Sequence, residues 1–88
     1  MSPTQRRAPV LRAFGAALRQ IRERSGLSQE DLAHRADLHR TYVSSVERGE
    51  RNVGLLNIVA LAEALNVEPG RLLANMPGSK SLATSKND

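Results

Sequence analysis

Leu11, Phe14, Leu18 and Ile21 recur at steps of three and four residues, the spacing of one helix face. They predict a first helix that stops near Ser25-Gly26, where Gly26 suits the left-handed residue that closes a helix. Ser28 is a favourable N-cap for a second helix, and Asp31 three residues on completes a capping box with a shorter acid than the usual Glu. Leu32, Ala33 and Ala36 form the inner face of that helix, and Asp37-Leu38-His39 interrupts it. A third helix is expected from about Arg40 to Arg48, burying Val43 and Val46 and ending at Gly49. Glu50-Arg51-Asn52 reads as a polar loop. A fourth helix over roughly Leu55 to Leu65 is expected to turn Leu55, Ile58, Val59, Ala62 and Leu65 inward, with Asn66 as its left-handed cap. Pro69 suits the first turn of a short fifth helix reaching about Ala74. No run alternates with the period of a half-buried strand, so the fold class is all-α, a compact five-helix domain.

Outside these segments the pattern lapses. Residues 1–9 include Ser2, Pro3, Thr4, Gln5, Arg6, Arg7 and Pro9 and read as a flexible basic arm; residues 10–75 carry the helical domain. Residues 76–88 are mostly Ser, Lys, Thr and Asn, with Leu82 the large apolar exception after Met76, and read as a disordered tail. A chain of 88 residues makes one domain and buries only about 60–65% of its unfolded surface, a size that dimerisation would help to stabilise. The absence of cysteine excludes disulfides and thiolate metal sites. The longest apolar run, Ile58 to Ala62, is far short of a membrane span, and Arg12, Arg19 and Arg22 break any secretory apolar core. The expected location is the cytoplasm, with no membrane partner.

Charge narrows the choice of partner. Thirteen Lys and Arg face nine Asp and Glu, and eleven of the thirteen are arginine. Six arginines lie in the first 24 residues against one acid, Glu23. Such a balance suits a polyanion, because each phosphate neutralised releases condensed counterions. Charge alone describes a solvated face equally well.

Gln29 to Arg48 decides between these readings. Two short helices meet across a three-residue link, and Ala33 is small where helices crossing at about 90–120° must approach closely. Leu27-Ser28-Gln29-Glu30-Asp31-Leu32-Ala33 followed by Arg40-Thr41-Tyr42-Val43-Ser44-Ser45-Val46-Glu47-Arg48-Gly49 closely resembles the phage repressor and Cro-like helix-turn-helix family. Ile58 to Val67 resembles the fourth helix of that family, so the likeness spans about residues 11–74. Arg40-Thr41-Tyr42 with Glu47-Arg48-Gly49 and Arg51-Asn52 is also similar to the controller proteins of restriction–modification systems. Asp37 departs from the family's turn glycine, at a strain of about 1 kcal/mol, and His39 replaces a better N-cap.

The resemblance implies a sequence-specific regulator of double-stranded DNA that inserts its third helix in the major groove. Arg40, Thr41, Ser44 and Ser45 are the expected base contacts, since arginine can grip guanine O6 and N7 with two parallel hydrogen bonds. Gln29, Tyr42, Arg48, Arg51, Asn52 and Arg35 are the expected phosphate contacts, which position the protein without specifying sequence. An acid such as Glu47 would repel phosphate on that face. The resemblance assigns it to a partly buried ion pair with Arg22. Leu56, Pro69 and Leu72 are the candidate homodimer interface, and a two-fold dimer would read pseudo-palindromic half-sites about 34 Å apart. Occupancy near a promoter would act by blocking or touching RNA polymerase.

Other chemistries find little support. His34 and His39 are five residues apart, outside the helical spacing of metal pairs. Ser44 and Ser45 have no base-and-orienter partnership, and no glycine-rich phosphate loop is present. No metal, cofactor or enzymatic activity is expected. The alternative is a protein-interaction module, antitoxin-like, using the same fold. An amphipathic membrane-surface helix over residues 10–24 is disfavoured because Phe14 is its only aromatic anchor.

Overall fold

A computed structural model describes residues 3–77, with side chains from Arg7 onward. Five helices follow in order: α1 (Pro3–Arg24), α2 (Gln29–Ala36), α3 (Arg40–Glu47), α4 (Leu55–Ala64) and α5 (Pro69–Leu72). The described residues contain no strand.

Four of the helices end in the same way, and the sequence shows why. Gly26, Asp37, Gly49 and Asn66 each take the left-handed conformation, with φ of 74°, 58°, 76° and 58°. After each, the next amide donates to a carbonyl five residues back: Leu27 to Arg22, Leu38 to Ala33, Glu50 to Ser45 and Val67 to Ala62. This satisfies carbonyls that the helix end would otherwise leave bare. Leu27, Leu38 and Val67 also fold back onto the core, so each of these turns is closed by an apolar contact. Asp37 holds the left-handed position that glycine usually fills in this turn. At the other end of α2 both halves of the capping box form. The Asp31 amide donates to Ser28 Oγ at 2.9 Å, and the Ser28 amide donates to Asp31 Oδ2 at 3.0 Å. That backbone hydrogen bond, followed by the one from the Ser28 side chain, holds the Asp31 carboxyl below its ordinary range. His39 caps α3 with backbone geometry alone and makes no side-chain hydrogen bond.

The core draws on all five helices, with Leu18 of α1, Leu32 of α2, Val43 and Val46 of α3, Leu61 of α4 and Leu72 of α5 all fully buried. α3 packs on α1 and α2, while α5 braces α4 and α1. Every buried side-chain polar atom among the described residues has a hydrogen-bond partner.

The structure corrects three expectations. The segment read as a flexible arm is helical from Pro3, and Pro9 sits inside α1. Gln5, Arg6, Arg7 and Ala8 are good helix formers, and Pro3 occupies a first-turn position where its missing amide costs nothing. Leu55, expected inward, is 73% exposed, and Leu61 takes the core position instead. α4 is apolar on nearly every side, so its sequence does not mark which face turns in. Met76 packs on the core, which carries the domain past residue 75; residues 78–88 of the expected tail lie outside the described residues.

Gly15 sets the distance between α1 and α3. A Cβ there would stand 2.4 Å from the Val46 carbonyl oxygen and 2.6 Å from that of Glu47. These are backbone atoms at the end of α3 and have no side chain to swing aside. We predict that Gly15→Ala destabilises the fold by roughly 1–3 kcal/mol despite alanine's better helix propensity, read as a lower urea midpoint. An unchanged or higher midpoint would contradict so tight a helix crossing.

Candidate nucleic-acid interface

α3 is anchored on one side and bare on the other. Val43 and Val46 are buried against α1 and α2, whereas Arg40 and Thr41 are exposed at its first turn. At about 100° of rotation per residue, Arg40, Thr41, Ser44 and Arg48 fall within a single arc of about 100° on the outer face. The first turn that carries Arg40 is free to approach a partner.

The outer face is fixed from beneath by one ionic knot. Arg22 Nε donates to Glu47 Oε2 at 2.7 Å and its Nη2 to Oε1 at 2.9 Å, a two-pronged pair with side chains 11% and 3% exposed. Arg22 Nη1 donates to the Leu27 carbonyl at 2.8 Å, and Gln29 Nε2 donates to Glu47 Oε1 at 2.9 Å. One carboxylate therefore ties α1, the start of α2 and the end of α3 together. The Glu47 hydrogen bonds outweigh burial and raise the Arg22 guanidinium above its already high range. The acid that would repel phosphate is thereby neutralised within the protein.

A second network shapes the flank of α3. Tyr42 is half-buried, and its hydroxyl accepts a hydrogen bond from Asn57 Nδ2 on α4 at 3.1 Å. The Arg51 guanidinium lies over the Tyr42 ring, 5.9 Å from its centre, and Arg51 Nε donates to Ser45 Oγ at 3.2 Å. Ser45 in turn donates to the Tyr42 carbonyl at 2.8 Å. Ser45 is thus buried, 6% exposed, and is removed from the expected base contacts. Its hydroxyl lies on the side of α3 turned toward the loop and holds Arg51.

Ser44 is half-buried on the outer face and accepts a hydrogen bond from Arg48 Nη1. The remaining donors of Arg48 grip Glu50 at 3.0 and 3.1 Å, which holds the Glu50 carboxyl low and the Arg48 guanidinium high. Both partners of that pair are exposed, so it yields readily to a phosphate. Asn52 and Arg35 are exposed. The Gln29 side chain is committed to Glu47, which leaves its backbone amide for any external contact. Leu56 is 85% exposed and Pro69 half-buried, but Leu72 is fully buried and is removed from the expected dimer interface. Leu72 plugs the core because α5 is a single turn whose one inward position it occupies. Two contributors escape a reading of the sequence. Asn57 carries no local motif, and Gly15 looks like an ordinary small residue on an apolar helix face.

Comparison with known proteins agrees with this geometry. A family model described as Helix-turn-helix matches residues 18–72. The chain belongs to the helix-turn-helix family. Control protein C.BamHI of Bacillus amyloliquefaciens is 56% identical over 61 residues, covering 68% of this chain and 75% of that protein. Control protein C.SmaI of Serratia marcescens is 52% identical over 56 residues, covering 64% and 67%. Among solved structures, the restriction-modification controller protein C.AhdI from Aeromonas hydrophila aligns with a TM-score of 0.70 at 55% identity, over 70% of this chain and 94% of that one. As a member of the helix-turn-helix family, the protein is a DNA-binding transcription regulator rather than an enzyme. No helix among the described residues is long and apolar enough to cross a membrane.

We predict that Glu47→Ala costs roughly 3 kcal/mol of stability, because it strands the Arg22 guanidinium in a desolvated position. Glu50→Ala removes only an exposed partner and leaves the urea midpoint almost unchanged. Equal midpoints for the two variants would contradict the structural assignment of Glu47.

Proposed function

We propose that this helix-turn-helix protein is a sequence-specific regulator of the controller type, binding double-stranded DNA as a homodimer with α3 in the major groove of each half-site. The observation that carries the proposal is the bare outer arc of α3. Arg40 and Thr41 stand exposed on a helix whose inner face is locked by Val43, Val46 and the Arg22–Glu47 pair. A side chain held on a rigid helix loses little freedom when it meets a base edge. In this arrangement Arg40 reads guanine, Thr41 meets a base edge or thymine methyl, and Ser44 supports Arg48. Arg48, Arg51, Asn52, Arg35, Tyr42 and the amide of Gln29 grip the backbone. The kinship with control proteins favours a restriction–modification system as its setting.

The dimer reading rests on apolar surface. Leu55 and Leu56 are 73% and 85% exposed at the start of α4, an unfavourable place for two large apolar side chains in a small monomer. Along the same helix, Val59 and Glu63 lead into a shallow recess that Val67 and Pro69 also line. A two-fold contact across Leu55, Leu56 and Pro69 removes this surface from water and sets two copies of α3 about one DNA turn apart. Contact with RNA polymerase belongs to the same proposal: a dimer bound near a promoter either blocks the polymerase or touches it.

Arg40→Ala is expected to weaken binding to a selected site by about 1–3 kcal/mol and relax preference at one position per half-site. Arg51→Ala is expected to weaken all sequences alike and to flatten the salt dependence by about one unit of slope. Mobility-shift titrations over a range of salt distinguish the two. Indifference of specific binding to Arg40→Ala would overturn the base-reading role. Leu56→Asp is expected to yield monomers in sedimentation at tens of micromolar and to lose cooperative binding to a two-half-site duplex. Persistence of a dimer would place the interface elsewhere.

A further inference from the structure

The first half of α1 takes no part in the ionic knot or in the network around Tyr42, yet it is rich in arginine. The ion pairs among the described residues are Arg19–Glu23, Arg22–Glu47 and Arg48–Glu50, and neither Arg7 nor Arg12 takes part in one. Both are exposed, and α1 carries no acid before Glu23.

We propose that this half of α1 is a second contact for the DNA sugar–phosphate backbone, lying outside the half-site that α3 reads, with Arg7 and Arg12 as its contacting side chains. The proposal rests on the reading of the Arg48–Asn52 segment as a backbone clamp. Two observations bring α1 to that segment. Arg12 lies against Gly49, so closely that a Cβ at Gly49 would meet Arg12 Cγ at 2.9 Å. Val10, Leu11 and Phe14 share one recess with Arg51, Asn52 and Val53. The helix therefore runs alongside the clamp and continues past it.

Register then places Arg7. It precedes Phe14 by seven residues, so the two differ by only about 20° around the helix. Arg7 thus projects from the same side as Phe14, toward the clamp, about 4.5 Å beyond Val10 along the axis. A flexible arm would have to be ordered before it could hold a phosphate. A helix fixed by the half-buried Val10 and Leu11 carries its arginines at a set distance from Arg51. Arg7 and Arg12 stand about 140° apart around the helix, Arg12 beside Gly49 and Arg7 on the side of Phe14, so they would meet phosphates at two separate points, and phosphate is a ligand each guanidinium can grip with two hydrogen bonds.

The test compares two duplexes bearing the same selected site. One ends at the outer edges of the half-sites, and the other is extended by about six base pairs on each side. Arg7→Gln, Arg12→Gln and the double variant keep the aliphatic stems and helix propensity, and thermal melting checks that they fold as the parent does. On the extended duplex the double variant is expected to bind on the order of tenfold more weakly, with the log–log salt slope reduced by about 0.9 for each phosphate no longer neutralised. On the short duplex the double variant and the parent are expected to bind alike. Preference for the selected over a scrambled sequence stays the same on both lengths. A loss that is equal on the two duplexes, or no loss on either, overturns the proposal while leaving the α3 reading intact. Failure of the parent protein to bind any duplex overturns both.

Discussion

The structure depends on the Arg22–Glu47 pair. Helices α2 and α3 have eight residues each, too few to be stable alone in water, and their relative angle has to be imposed from outside. The pair does this with four hydrogen bonds converging on two side chains, reaching α1, the α1–α2 turn, the first residue of α2 and the last of α3. An apolar contact at the same place would add burial but no direction. A bidentate ion pair is geometrically exacting, so it selects one orientation of α3 on the scaffold. It also takes an acidic charge out of the face proposed to meet DNA.

Close packing complements the ionic knot. Gly15 lets the backbone of α1 reach the last carbonyls of α3, and Gly49 lets the chain leave α3 under Arg12. Together the two glycines bring the end of α3 down onto α1 while its first turn stays raised and free. The same descent brings the loop carrying Arg51 and Asn52 beside α1. Ser45 and Tyr42 then hold Arg51 over the flank of α3. The side chains suited to reading bases and to gripping phosphates are therefore set by one packing arrangement.

Much of this is legible in the chain, and the exceptions have physical causes. The helix ends are readable because Gly26, Asp37, Gly49 and Asn66 are residue types that tolerate the left-handed conformation, each next to a change in apolar pattern. The start of α2 is readable because a capping box is local chemistry. The orientation of α4 is not, since a helix apolar all round has no polar face to mark it, and Leu55 consequently turns out rather than in. Ser45 resembles a surface residue because serine is small and polar in any setting; only Tyr42 and Arg51, brought to it by the fold, reveal its internal role. Pro9 suggests a boundary that α1 runs through. Long-range partners such as Asn57 and Tyr42, fifteen residues apart, leave no trace in spacing.

In the proposed complex the outer arc of α3 enters the major groove with Arg40 on a guanine. Guanine N7 methylation interference on a duplex selected from a random pool tests this most directly, because that methyl group projects into the major groove where the guanidinium must sit. Interference is expected at a guanine in each half-site, placed symmetrically about one centre and separated by about one helical turn. Binding unaffected by N7 methylation, or blocked only by methyl groups in the minor groove, would contradict it.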